Sequence, residues 1–285
     1  MLGVRAAQNI NAGIGRFIST RNFTENFMKI RYFFIFSLLC PLFAQAAIKS
    51  EPIQYKQGDK TFEGVIYFDD ADNTPRRGVM VCHEWWGLND YAKARAQQLA
   101  QMGYVAMAVD MYGKGVLAKD MEEAGKLATA LKDDRATLRA RINAALAAFR
   151  TRKEVDPKKI AAIGYCFGGT TALELARSGA DVLGVVSFHG GLSTPTPEDA
   201  KNIKTKILCC AGDLDPFVKL EEVHEFIQEM QEGKVDYQIN LYSGAVHGFT
   251  NPNNGNDPEK GVAYNAQADH RSWEAMKAFF AEIFK

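Results

Sequence analysis

Cys166 stands in the run IGYCFGG (163–169), with Gly164 two residues before it and the Gly168–Gly169 pair just after. A strand-like stretch, KIAAIGY, leads into it, and a helix-like stretch, GGTTALELARSG, leads away. A strand, a G-x-C-x-G-G turn and a helix make up the layout of a nucleophile elbow, in which a strained turn lifts one side chain clear of a sheet. Small neighbours allow the backbone to close there. The turn also sets the thiol at a helix N-terminus, where free N–H groups and the dipole favour a thiolate. Such a thiol needs a base and an acid to orient the base. Both occur later in the chain, in the order nucleophile, acid, histidine: GDLDPFV carries Asp213 and Asp215, and GAVHGF carries His247. His247 is the expected base and Asp215, directly before Pro216, the expected acid. Asp213 is the alternative acid, with a brace for the loop as its other use.

A second informative stretch is VCHEWWGLNDY (81–91), where a strand runs into a polar, aromatic loop ahead of a helix. This loop and the elbow together can hold an oxyanion on two backbone N–H groups, those of Trp85 and Phe167. Trp85, Trp86, Tyr112 and Phe167 offer an apolar pocket wall, and His189, after the run VVSF, lies at a strand end where it can line the pocket. A zinc reading of His83-Glu84 fails because position 87 is Gly, and no cysteine pair has C-x-x-C spacing. No metal or other cofactor is expected. NPNNGNDPEKG (251–261) lacks the alternating acids of a calcium loop and reads as a turn-rich segment beside His247.

These residues need a scaffold, and from about residue 52 apolar β runs alternate with helical periodicity. That pattern predicts an α/β protein with a mostly parallel sheet and helices on both faces. The expected strands are FEGVIYFDD as an antiparallel edge, then 77–84, 104–110, 159–165, 182–188, 205–211 and 235–244. The expected helices are 91–103, closed by Gly103, one long region over about 119–152, the helix after Cys166, a stripe of Leu220, Val223, Ile227 and Met230, and a closing helix over 272–284. Cys209 and Cys210, adjacent in a strand, should face opposite sides of the sheet as small core residues.

Zero formal net charge gives no basic stripe for nucleic acid. The segment from Met28 has Lys29 and Arg31, an apolar run from Tyr32 to Phe43, and Ala44-Gln45-Ala46. This is the layout of a secretory signal peptide over about 28–46, and its apolar run is too short to span a bilayer. The expected organisation is therefore an N-terminal extension plus signal peptide at 1–47, with the start at Met28, and one domain over 48–285. Secretion or a periplasmic location follows, with a cytoplasmic or organellar one as the alternative if the arginines before Met28 belong to a transit peptide. Without residues 1–47 the chain carries a net charge of −4.

With G-x-C-x-G-G, the D-P-F-V aspartate, A-V-H-G-F and the H-E-W-W-G-L-N loop in family order, the sequence resembles the dienelactone hydrolase family from about residue 50 to the end. The resemblance implies an α/β-hydrolase fold and a triad of Cys166, Asp215 and His247. It implies that Glu84 touches the resting cysteine and takes its proton when substrate displaces the carboxylate. At the place of the family's substrate-binding arginine, DMYGKG (110–115) offers Lys114, and Gly248 follows His247 where those enzymes carry a longer side chain. The expected activity is a carboxylic ester or lactone hydrolase of the carboxymethylenebutenolidase kind, working through an acyl-enzyme on a small molecule. The expected assembly is a monomer or weak dimer without a stable membrane anchor. A thioesterase or other acyl hydrolase, and a non-catalytic binding protein on the same fold, are the rival readings.

Overall fold

The computed structural model describes residues 47–71 and 74–285. The signal-peptide and start-site expectations lie outside the described residues. From residue 47 on, the described chain forms one compact unit. Its centre is an eight-stranded sheet in the order β1-β2-β4-β3-β5-β6-β7-β8. The strands are β1 (Ile48–Gln57), β2 (Lys60–Asp69), β3 (Arg76–Cys82), β4 (Val105–Val109), β5 (Val155–Tyr165), β6 (Gly184–Phe188), β7 (Lys206–Gly212) and β8 (Tyr237–Tyr242). Six of them run parallel, and the β1–β2 hairpin adds antiparallel to β4.

Alternation along the strands builds two cores. Val105, Met107 and Val109 of β4 and Cys209 of β7 face one side, with Leu138, Ile142, Phe149 and Leu173 from the helices α3 (Arg135–Arg150) and α4 (Phe167–Arg177). Ala106, Ala108 and Cys210 face the other, with Tyr91 and Leu99 of α1 (Asp90–Gln101) and Met276 and Phe280 of α6 (Ala266–Ile283). Each large apolar side chain fully buried in this way contributes about 1.5–3 kcal/mol. The two adjacent cysteines of β7 therefore belong to opposite cores.

The position of the site follows from strand order. From β3 the chain crosses by α1 to β4 on one side. It then returns through α2 (Met121–Asp133) and α3 to β5 on the other side. The C-terminal ends of β3 and β5 thus flank a topological switch point, where open α/β sheets bind ligands. Cys82 leads there into the 83–89 loop, and Tyr165 leads into Cys166.

Three element boundaries differ from expectation. The early strand FEGVIYFDD is not the edge: β1 pairs outside it from Ile48↔Asp69 to Gln57↔Lys60, joined by a turn at Gly58, which has φ +57°. The helical region 119–152 is two helices. Asp134 leaves helical geometry and its carboxylate accepts the Thr137 N–H, so it ends α2 and caps α3. The closing helix begins at Ala266 because Asn265 caps it through the Ala268 N–H at 3.1 Å. The expected stripe on α5 (Leu220–Gly233) also shifts. Val223, Phe226 and Met230 are buried while Leu220 is exposed. Among the described residues no helix is long and apolar enough to cross a membrane.

Candidate active site

Cys166 occupies the turn between β5 and α4 with φ +54° and ψ −117°, a conformation that costs an L-residue energy and persists only when neighbours enforce it. The neighbours are visible. A Cβ on Gly164 would lie 1.8 Å from the Gly168 carbonyl oxygen, and one on Gly168 would lie 2.2 Å from that of Cys82. Glycine at both places lets helix α4 close against β5 and β3. The thiol is half-buried and makes no capping hydrogen bond to its own helix, so it remains available to the cavity above it.

His247 follows β8 in a turn whose backbone is tied to the 251–262 segment: its N–H donates to the Gly261 carbonyl and its carbonyl accepts the Ala263 N–H. Its Nδ1 is 2.8 Å from Asp215 Oδ2. Asp215 is buried, and its other oxygen accepts the N–H groups of Phe217 and Val218 at 2.8 and 3.2 Å. Asp213 instead accepts the Gly244 N–H at 2.7 Å, so it braces the turn after β8 and does not face the imidazole. With Nδ1 committed to Asp215, the remaining ring nitrogen of His247 is the one left for the Cys166 thiol, which lines the same cavity. Burial opposes a charge on His247. The sulfur of Cys166 and the hydrogen bonds to Asp215 and Cys166 outweigh that penalty and push its pKa up to about 10.

Both residues open onto a cavity of about 290 Å³ walled by Trp85, Trp86, Phe167, Phe217 and Val262. The N–H of Phe167 belongs to the first residue of α4, where a helix has no upstream acceptor of its own. Neither it nor the Trp85 N–H takes part in a turn or capping bond among the described residues. Glu84 lines the same cavity, yet its carboxylate is held by Asn251, whose Nδ2 donates at 2.7 Å. Burial raises the Glu84 pKa above the ordinary carboxylate value, with Asn251 and His247 working against that rise.

Three of the pocket residues expected from the sequence lie elsewhere. Lys114 reaches away from the cavity to Glu63 on β2, at 2.8 Å, because its own N–H is bonded to the Thr61 carbonyl there. Tyr112 is buried beneath the 83–89 loop. Its hydroxyl donates to the Trp85 carbonyl at 3.0 Å, and its ring packs on those of His83 and Phe167. His189 is buried behind the cysteine and does not line the cavity. In the place of Lys114, the cation that does line it is Lys132, near the end of α2. Sequence reasoning missed Lys132 and Asn251. Only the second had a local signal, four residues after His247 and so in the same turn system.

Comparison with known proteins was made against this geometry. The model of the dienelactone hydrolase family matches residues 62–284. The chain belongs to this family. The family model thus spans β2 through α6 and every residue of the site just described. A putative carboxymethylenebutenolidase of Aquifex aeolicus is 32% identical over 73% of the chain and 88% of its own length. Among solved structures, a chain named m3DLH superposes with a TM-score of 0.81 at 42% identity, covering 84% of this chain and all of that one. A dienelactone hydrolase-like promiscuous phosphotriesterase from metagenomic libraries does so with a TM-score of 0.79 at 40% identity, with the same coverage. These similarities place the family member in the α/β-hydrolase superfamily, in agreement with its mostly parallel sheet.

Proposed function

We propose that this protein hydrolyses carboxylic esters and lactones through a cysteinyl acyl-enzyme, with Cys166 as nucleophile, His247 as proton carrier and Asp215 as the acid that orients it. It is an ester or lactone hydrolase by family. The observation that carries the finer reading is the 2.8 Å bond between Asp215 and His247 behind a cysteine held at positive φ on the cavity floor.

Chemistry follows from the charge state. His247 takes the thiol proton as the sulfur attacks, and the imidazolium so formed, with its pKa raised to about 10, is stabilised beside the thiolate, the reactive form of cysteine. The sulfur attacks the substrate carbonyl, and the carbonyl oxygen takes the electron pair and rests on the N–H groups of Trp85 and Phe167. Each such donor is worth about 2.7–4 kcal/mol in the transition state. The tetrahedral species collapses to a thioester as His247 gives its proton to the departing alkoxide. His247, now neutral, takes a proton from water, the hydroxide attacks the thioester carbonyl, and expulsion of the sulfur, with the proton of His247 available to it, returns the site to its starting state. Asp215 keeps the ring in one tautomer throughout.

Glu84 is held by Asn251 through one carboxylate oxygen, so the activation role that the family resemblance implies for it would require substrate to displace it from that bond. The apolar walls suit an aromatic or cyclic acyl group, and Lys132, which also lines the cavity, offers a charge to a substrate anion. The charged, apolar and small-residue run at 28–46 supports export of the chain, and N-terminal sequencing of the protein from its host would test that.

The decisive assay is hydrolysis of an aryl ester and of an unsaturated lactone by the protein and by Cys166→Ala. Turnover of either compound, with a loss in the variant on the order of a thousandfold, is the expected outcome. Equal, slow rates for both proteins would sink the cysteine mechanism.

A further inference from the structure

His189 is the residue behind the nucleophile, and its surroundings are unusual in several independent ways. It is a non-glycine residue at φ +40°, one of three positive-φ non-glycine positions among the described residues; Cys166 is another. Its side chain is about 1% exposed. Its own N–H donates to the Cys210 carbonyl on β7 at 2.8 Å, which fixes the backbone after β6. Gly190 follows where a Cβ would lie 2.7 Å from the Gly169 Cα, so the 189–190 turn is pressed directly against the first turn of α4.

The imidazole is hydrogen-bonded at both nitrogens. Nδ1 accepts the backbone N–H of Cys166 at 3.1 Å, a proton that the Phe188 carbonyl shares at 3.0 Å. Nδ1 therefore carries a lone pair, and the ring proton is on Nε2. Nε2 lies 2.7 Å from Thr250 Oγ1 and donates to it. Thr250 is itself fixed: its hydroxyl is 2.7 Å from the Tyr91 hydroxyl, and its carbonyl accepts from Arg95 Nη2 at 2.7 Å. Arg95 in turn is bonded to Asp269 and packed over the rings of Tyr91, Tyr165 and Trp273. The His189 and His247 rings pack against each other at 5.3 Å between centroids and 67° between planes. One side chain thus touches the peptide of the nucleophile and the ring of the base.

We propose that His189 is a positioning residue for this site: bonded to Thr250 and braced by Arg95, its imidazole holds the Cys166 peptide in the strained turn and backs the His247 ring, so that thiol and imidazole meet in line. The proposal rests on the reading of Cys166 and His247 as nucleophile and base. It assigns His189 no contact with substrate.

The role requires the uncharged ring, since a proton on Nδ1 would point at the Cys166 N–H and break the contact. The groups facing the ring make that proton costly. Burial disfavours it, and the positive charges of His247 and Arg95 repel it, so its pKa lies well below that of an ordinary histidine. Cys166, Tyr91 and Tyr165 are the other titratable groups around it.

The test separates holding from mere filling. His189→Asn keeps an acceptor near the position of Nδ1 and tolerates positive φ. His189→Phe keeps the ring volume and removes the acceptor. Three readouts apply to both: kcat and KM for an aryl ester, the pH dependence of Cys166 alkylation by iodoacetamide, and thermal unfolding. For the Phe variant, kcat should fall on the order of tenfold to a hundredfold, with KM changed by no more than about twofold. Alkylation at pH 7 should slow, because the thiol loses its alignment with His247. The Asn variant should recover most of both. If His189→Phe does not fold, Thr250→Val decides by the same readouts, because it frees the tautomer without touching the ring.

A folded Phe or Val variant with unchanged kcat and alkylation profile would overturn the proposal. So would Asn and Phe variants that lose activity equally and in step with stability. The alkylation arm needs no substrate, so a wrong substrate class leaves the test intact. If the unaltered protein alkylates like a free thiol, independently of His247, both the positioning role and the triad fall together.

Discussion

The proton on His247 is the first place where residue chemistry becomes measurable. Its pKa of about 10 is reached against burial, by the neighbouring sulfur and by the bond to Asp215. The imidazolium is therefore present below that value and lost above it, and with it goes the acid that the proposed mechanism needs for the leaving alkoxide. We expect kcat/KM to decline on the alkaline side with a midpoint near 10, and Asp215→Asn to move that midpoint down because it removes a charge and weakens a hydrogen bond. A pH–rate profile of both proteins checks this; an unmoved limb would detach Asp215 from the titration. Glu84 shifts the other way in its effect on the fold. A carboxyl whose pKa is raised on folding holds its proton longer in the native state than in the unfolded one, so native stability is lost as pH rises past the ordinary value of 4.5. Glu84→Gln, which keeps an acceptor for Asn251, should therefore gain melting temperature relative to the unaltered protein as pH goes from 4 to 7. Thermal scans at the two pH values measure the gap, and a gap that fails to widen would count against the raised carboxyl.

At the scale of elements, the elbow is a packing event between β5, α4 and β3, and its glycines carry the tolerance. Gly164→Ala would drive a methyl to 1.8 Å from the Gly168 carbonyl oxygen, against backbone atoms of Gly168 and Gly169 rather than a flexible side chain that could yield. We expect a loss of about 3 kcal/mol or more, seen as a lower denaturation midpoint at unchanged slope. This is also where the sequence was most legible. Turn chemistry is local, so G-x-C-x-G-G, D-P-F-V and A-V-H-G-F announced three strand ends from short windows, and the alternation of apolar runs announced the sheet. What stayed hidden depends on which way a loop residue faces after distant elements pack. Lys114 and Tyr112 sit in one six-residue run, yet one turns out to Glu63 and the other turns under Trp85. Lys132 lines the cavity from the end of α2, just before Asp134 breaks the long helical region.

Across the whole molecule, a buried ionic cluster ties elements that the sheet alone does not join. Arg177 at the end of α4 is about 1% exposed, binds Glu229 of α5 through two nitrogens at 2.7 and 2.6 Å, meets Glu174 at 3.0 Å and donates to the Leu192 carbonyl. Glu174 extends the cluster to Arg139 of α3, and Arg139 to Asp199. Arg177→Met would leave Glu229 buried without its cation, while Glu174 keeps Arg139, at a cost of about 3–5 kcal/mol. Equilibrium denaturation measures that loss, and adding Glu229→Leu should return part of it. A single variant as stable as the unaltered protein would show that water reaches the cluster.

Strand order also has a consequence for synthesis. Cys166 is placed by the fifth strand, but its partner His247 follows the eighth, about 80 residues later. At 5–20 residues per second a ribosome needs roughly 4–16 s to cover that distance. Through that interval the nascent chain carries a cysteine with no base beside it, and the histidine arrives only as the sheet gains its final strand. Under the proposed mechanism, ester-cleaving power would therefore switch on at the end of translation rather than grow with chain length, and a polypeptide released early would carry the thiol without the reaction.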